Sequence, residues 1–289
     1  MTEKQAKSFT SLEKARNYGL AAIVFLIIVV LVYQIKPLYA YDFRTYFYPA
    51  SRLFIVGQNP YAVDGFYNPP WLLIAMIPFA LLPEQWAQAV FLSTAMCTFL
   101  LVCAKLRLGR LSTLAFLLSF PTIYSLLYGN LEWLVLLGLL LPPQIGVFLV
   151  LIKPHVGLGI FLYWVIQAWR KERTSGVFKL LWPLLTVALI SMLIYGPWPL
   201  RFALAAESST TRGLNASAWP WLLPLGFYIA FEMVEQPDLK KSLLIGPALS
   251  PHLVEGSWCG LFIAFSDRPV AMVLANLAVW GAVIQKMLG

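Results

Sequence analysis

Residues 20–32 read Leu-Ala-Ala-Ile-Val-Phe-Leu-Ile-Ile-Val-Val-Leu-Val, an uninterrupted apolar run. Lys4, Lys7, Lys14 and Arg16 precede it, and Tyr33 to Tyr41 continue it with bulky, aromatic side chains. A secretory leader needs a small-residue cleavage site after its apolar core, and this continuation offers none. The run therefore predicts a retained first transmembrane helix with its N-terminus on the cytoplasmic side. Working outward, 60% of the 289 residues are hydrophobic and only 12% charged, with a mean hydropathy of +0.75. A soluble domain carries roughly 25% charged residues. A span takes about 20 apolar residues, so the chain has room for on the order of ten crossings and little for an extramembrane domain.

Further apolar runs cover 71–82, 87–104, 111–127, 131–141, 145–152, 157–169, 178–195, 221–231, 243–249, 259–265 and 270–284. Several are too short to span, and Pro78, Pro83, Pro142, Pro143, Pro154, Pro247 and Pro251 divide them. Helices broken at membrane depth are tolerated where the freed backbone faces protein or a wet cavity, so a cavity is implied. The predicted fold is all-α: a single transmembrane domain over 1–289, with ten to twelve full or partial helices and an interfacial helix in the first outer loop, 36–70. Lys and Arg total 21 against 13 acids. That +8 balance would point to nucleic acid in a soluble protein, but here it reads as basic residues kept in cytoplasmic loops.

The basic clusters Lys105/Arg107/Arg110, Arg170/Lys171/Arg173/Lys179 and Lys240/Lys241 share the N-terminal side if 71–82 enters without crossing and 131–152 is a hairpin broken at Pro142 and Pro143. The segments 41–70, 129–132, 153–155, 197–220 and 251–255 then emerge together on the outer face. Cys97, Cys103 and Cys259 lie in apolar runs without a partner at metal or redox spacing and read as buried free thiols. No metal motif, phosphate-cradling glycine loop, Ser/His/Asp signature, nucleic-acid module or internal repeat is evident.

On the outer face, Phe43, Phe47, Ala50 and Phe54 recur at helical spacing with Arg44, Tyr48 and Arg52 on the other side. This describes a helix in the membrane interface, apolar face down and basic side toward headgroup phosphates, ending at Gly57. Asp42 opens it, either as a solvated cap or as an ionised carboxylate close to a lipid-linked substrate. Lys153 in Lys153-Pro154-His155 either snorkels to the interface or, with His155, binds a phosphate. Gly129 and Asn130 favour a tight turn, with Asn130 and Glu132 alternatively placed to bind sugar hydroxyls. His252 reads as a local hydrogen-bonding residue or a substrate ligand. Asn215-Ala216-Ser217 fits a glycosylation sequon, a short pattern that arises by chance.

The order of these features resembles the GT-C superfamily of polyprenyl-phosphate-sugar-dependent glycosyltransferases, most nearly glycosyltransferase family 87. The resemblance rests on Asp42, Tyr46, Ala50, Leu53 to Gly57, Asn59-Pro60-Tyr61, Phe66-Tyr67-Asn68-Pro69-Pro70 and Leu82-Pro83. Gly129-Asn130 stands where the family often has Gly-Gln, and Ile152-Lys153-Pro154 and Ser250-Pro251-His252 follow. It implies an inverting transfer of a mannose-like hexose or a pentose from a polyprenyl-phosphate donor to a glycolipid or glycan acceptor, on the extracytoplasmic face of a bacterial plasma membrane. Asp42 is then the general base and Lys153 a donor-phosphate ligand, joined by Arg44, Arg52 and His155. Asn130, Glu132, His252 and Tyr67 fall to the acceptor or sugar. No cofactor is implied, and a divalent cation stays open, as does oligomeric state.

The chemistry stands without the family. A sugar hydroxyl is a poor nucleophile, and a carboxylate taking its proton accelerates attack by roughly 10²–10⁴-fold. Preorganised cations stabilise the leaving phosphate. Base and phosphate ligand must bracket one anomeric carbon, which predicts Asp42 and Lys153 within roughly 10 Å. Two other classes compete: a transporter or flippase of lipid-linked substrates, and a non-catalytic membrane subunit.

Overall fold

The computed structural model describes residues 3–35, 39–201 and 215–288, with side chains described from Arg16 to Gln285. Residues 36–38 of the predicted first outer loop, 202–214 of the predicted 197–220 loop, and the side chains of Lys4, Lys7 and Lys14 lie outside that description. Among the described residues the secondary structure is helical, without strands. Helix α1 (Glu3–Gln34) lies antiparallel to α4 (Glu84–Lys105), with Tyr33 stacked on Trp86 at a ring separation of 4.2 Å. Among the described residues three helices are long and apolar enough to cross a membrane: Arg16–Gln34, Glu84–Lys105 and Pro154–Tyr195. A fourth is added if α5 (Arg110–Leu117) and α6 (Phe120–Tyr128), bent by 47°, form one broken span. The other apolar runs form shorter helices, so of the ten to twelve full or partial helices expected, three or four are of spanning length.

Helix α9 (Pro154–Tyr195) has 42 residues and, if straight, would measure about 63 Å, twice a hydrocarbon core of about 30 Å. It is instead folded at Glu172 and Arg173, whose backbone leaves the helical region. Both of its ends return to one loop: Asn68 Nδ2 donates to the Ile152 carbonyl at 3.2 Å, and Tyr61 lies 6.0 Å from the Tyr195 ring. The runs 157–169 and 178–195 are thus two arms, as their separation in sequence predicts.

Helices α7 (Glu132–Leu137) and α8 (Pro143–Val150) form the hairpin expected at Pro142 and Pro143. By length α7 rises only about 9 Å and α8 about 12 Å, each less than half a hydrocarbon core. Gly138 and Gly146 let the arms touch, since a Cβ on Gly138 would lie 2.9 Å from the Gly146 carbonyl oxygen. Helix α3 (Trp71–Ala80) does not traverse the bundle either. Its start is held by Trp71 Nε1 donating to the Phe148 carbonyl (2.8 Å), and its end by Arg52 Nη1 donating to the Ala80 carbonyl (2.9 Å).

A five-residue π-helical turn, Phe43–Phe47, runs into α2 (Tyr48–Ile55). Phe43, Phe47 and Ala50 are buried, as their spacing predicts, but against protein rather than lipid: Phe43 packs 4.6 Å from Phe91, which sits 5.1 Å from Trp133. This aromatic cluster is the core beneath the site.

The remaining helices are α10 (Leu223–Glu235), α11 (Leu239–Ser242), α12 (Ile245–Leu249), α13 (Cys259–Ala264) and α14 (Pro269–Leu288). They tie the basic clusters together at the end opposite the 39–70 segment. Arg170 donates to the Val234 and Glu235 carbonyls, Lys241 pairs with Glu232 (2.6 Å), Lys240 pairs with Asp267 (2.8 Å), and Ser112, beside Arg110, donates to the Ser266 carbonyl. Cys103 and Cys259 are buried free thiols, whereas Cys97 is half-exposed.

Candidate functional site

The site is built on the end of α6. Gly129 closes that helix in the left-handed region (φ 67°), and the Ala40 N–H donates to the Leu127 carbonyl at 2.7 Å. A Cβ on Gly129 would lie 2.9 Å from Phe43 Cβ and 3.0 Å from Ala40 Cβ. Only glycine meets both conditions, the positive φ and the close approach. The segment after α1 therefore seats directly on the α6 turn, which puts Asp42 beside Asn130. The tight turn expected at Gly129-Asn130 is present, and it sets Asn130 against Asp42.

Asn130 then acts as a bridge. Its Nδ2 donates to Asp42 Oδ2 (2.7 Å), while its Oδ1 accepts from Lys153 Nζ (2.9 Å) and from the Leu131 N–H (2.8 Å). An amide with its carbonyl toward two donors and its NH₂ toward a carboxylate has one sensible orientation. Through this single side chain Asp42 and Lys153 stand no more than about 8 Å apart, inside the separation that transfer at one anomeric carbon requires. Lys153 continues the network to Glu132 Oε1 (2.6 Å), and Ser125 Oγ donates to Glu132 Oε2 (2.7 Å).

Burial raises the Asp42 carboxyl from 3.8 to about 6; the Lys153 charge opposes this, the Glu132 charge adds to it, and the Asn130 bond opposes it. Asp42 Oδ1 has no hydrogen-bond partner among the described residues. The surrounding backbone is unusual as well: Ala40 is held at φ 30°, and Asp42 opens the π-helical turn. Such conformations persist where neighbours over-determine them, and they gather at functional sites.

Other sequence-predicted residues are placed differently. Glu132 is 0% exposed and is the counter-ion of Lys153, so it offers no surface to a sugar hydroxyl. Lys153, 7% exposed, directs two of its three ammonium protons into the network and its charge is already matched; as a phosphate ligand it has one proton left. Arg44 Nε donates to Glu84 Oε1 (2.8 Å), Arg52 to the Ala80 carbonyl, and Tyr48 OH to the Leu82 carbonyl (2.9 Å). These three share one side, as the helical period predicts, and that side lands on residues 80–84. Neither arginine joins the network.

His155, at the start of α9, and His252 lie within electrostatic reach of each other and of Lys153. Burial first, and the Lys153 charge second, hold His252 below its ordinary pKa. Its loop is pinned by Asn215, whose Oδ1 accepts from the Leu253 N–H (3.1 Å) and whose Nδ2 donates to the Pro251 carbonyl (3.0 Å). The sequon asparagine is thereby committed to shaping this loop. Tyr67 is half-buried within electrostatic reach of Tyr46, whose own charge environment includes Asp42.

Ser125 and Ser257, the latter 3.4 Å from Glu132 Oε1, complete the network without any sequence signal. Among the described residues no group of three or more His, Cys, Asp or Glu side chains is arranged to hold a metal ion. Comparison with models of known families, with curated proteins and with solved structures finds no match for this chain.

Proposed function

We propose that the chain is an integral-membrane, inverting glycosyltransferase that moves a sugar from a polyprenyl-phosphate donor to a glycolipid or glycan acceptor, with Asp42 as general base. The observation that carries this reading is Asp42 itself: a carboxyl raised to about 6, one oxygen fixed by Asn130 and the other without a hydrogen-bond partner among the described residues. A base titrating near the working pH combines the ionised form with useful basicity. In the reaction Asp42 accepts the proton of the acceptor hydroxyl, whose oxygen forms the new bond at the anomeric carbon. The bond to the phosphate oxygen breaks, and the lipid monophosphate leaves with the electron pair. His155, His252 and the remaining Lys153 N–H supply donors on the leaving-group side.

The order of short motifs from Asp42 to His252, similar to that of glycosyltransferase family 87, supports the same reading. So does the gathering of basic clusters at the opposite end, which by the positive-inside rule supports an extracytoplasmic site. The test is turnover of polyprenyl-phosphate hexoses and pentoses by the purified chain. Transfer by the wild type, lost in a folded Asp42→Asn, is the expected result; undiminished transfer by that variant removes the base.

One feature favours a second reading, a transporter of lipid-linked substrates. The half-length α7–α8 hairpin ends over a cavity of about 580 Å³ at the basic end, lined by Pro143, Gln144, Trp164, Arg170, Lys171 and Lys179. Hairpins of this kind occur where backbone faces a wet cavity. Translocation of a labelled polyprenyl-phosphate sugar across reconstituted vesicles, without transfer, would select this reading.

A further inference from the structure

Five tyrosines outside the transfer chemistry form a continuous row at the site end: Tyr46, Tyr41, Tyr39, Tyr128 and Tyr124. Successive ring centroids are 5.9, 6.1, 5.0 and 4.1 Å apart. Two separate pieces of chain supply them: the continuous stretch from Tyr39 into the π-helical turn, and one face of α6, where Tyr124 and Tyr128 stand one turn apart. The row is most open at its middle, with Tyr39 54% and Tyr41 42% exposed, and is half-buried at Tyr46 and buried at Tyr124.

Two carboxylates lie beside this row. Asp42 sits within charge reach of Tyr46, Tyr39 and Tyr124. Glu255, on the turn packed against α6, also reaches Tyr124, and its Oε2 is buried with no hydrogen-bond partner among the described residues. A buried carboxylate oxygen without a donor is costly, and the cost is relieved when a ligand brings one. An interfacial belt explains single aromatic residues facing lipid. It does not explain rings in a line, alternately edge to face and near-parallel, nor a carboxylate with an unmet lone pair behind them. Aromatic faces beside hydrogen-bond acceptors fit a ligand that has an apolar C–H face and a rim of hydroxyl donors, which is the surface of a pyranose.

We infer that this tyrosine row, closed by Glu255, is a glycan-binding track that takes a pyranose oligosaccharide and presents its terminal hydroxyl to Asp42. The acceptor is then an oligosaccharide or its lipid conjugate rather than a single sugar. The direction of the track rests on the proposed role of Asp42; binding along it does not.

The test is saturation-transfer NMR on the detergent-solubilised full chain with mannotriose, maltotriose and cellotriose. At least one trisaccharide should receive saturation on its ring protons. Asp42→Asn should keep that binding, and Tyr39→Phe should keep it through the ring. Tyr39→Ala and Glu255→Gln should each weaken it by about tenfold or more. Absence of transfer to all three sugars, or wild-type binding by a folded Tyr39→Ala/Tyr41→Ala double variant, overturns the track. The two proposals fail separately: an inactive Asp42→Asn with unaltered track variants leaves the transferase reading and removes the track. Retained turnover in Asp42→Asn, with weakened binding in Tyr39→Ala, does the reverse.

Discussion

Raising the Asp42 carboxyl from 3.8 to about 6 pulls turnover and stability in opposite directions. Between those two values the folded chain holds a proton that the unfolded chain has released, so stability falls as pH rises through this window and levels off above about 6. At neutral pH the ionised group costs the fold about 1–3 kcal/mol. Asp42→Asn should therefore raise the thermal midpoint in detergent at pH 7.5 and leave it unchanged at pH 4, while lowering turnover by about 10²–10⁴-fold. Wild-type turnover should rise with pH through about 6. A midpoint unchanged at both pH values would show that Asp42 is not buried as described. The Lys153–Glu132 pair makes a second residue-scale prediction, because removing one partner strands the other. Lys153→Met alone leaves the fully buried Glu132 carboxylate unpaired and should cost about 3–5 kcal/mol. Lys153→Met with Glu132→Gln should recover most of that loss in the same detergent melts. Equal losses in the single and double variants would count against a paired charge.

The turn after α6 is the element on which the site depends, and Gly129 is its test. Alanine there must hold a positive φ and push Phe43 and Ala40 away, so Gly129→Ala should destabilise by about 1–3 kcal/mol. It should also lower kcat more than it raises KM, since it displaces Asp42 from Asn130; a KM effect alone would place the turn in binding. Elements of this kind were legible in the sequence where local patterns specify them. The apolar spacing from Phe43 to Ala50, the break at Pro142 and Pro143, and the two arms of α9 are all matters of period, proline and length. What stayed illegible was partnership across the chain. Glu132 reads as an available carboxylate until Lys153, Ser125 and Ser257 surround it, and the last of these is 125 residues away. A helical wheel shows the shared side of Arg44 and Arg52 but not Glu84 and the Ala80 carbonyl on which that side lands. Asp42, Asn130 and Lys153 were each legible as candidates, whereas the amide bridge that joins them is a tertiary fact.

At the scale of the molecule, chemistry and charge occupy opposite ends. Asp42, Asn130, Lys153 and His252 gather at one end, and the chain of contacts from Arg170 through Val234, Lys241, Lys240 and Asp267 gathers the basic clusters at the other. A helix of 42 residues folded at Glu172 and Arg173 is what permits this, because it returns Tyr195 to the loop that also holds Ile152. The separation makes orientation measurable. In a background with Cys97, Cys103 and Cys259 replaced by serine, single cysteines at exposed Val56 and Lys171 mark the two ends, and one at Lys105 repeats the second. A membrane-impermeant maleimide should label Val56→Cys in intact cells, and Lys171→Cys and Lys105→Cys only after permeabilisation, because basic residues are retained on the cytoplasmic side. Labelling of Val56→Cys and Lys171→Cys from the same side would contradict the folding of α9. Labelling of all three with the sides exchanged would keep the fold but put Asp42 in the cytoplasm, where nucleotide-activated sugars compete with the lipid-linked donor proposed for it. The sidedness of Val56 thus decides, before any turnover is measured, whether a lipid-phosphate donor is the right substrate to try.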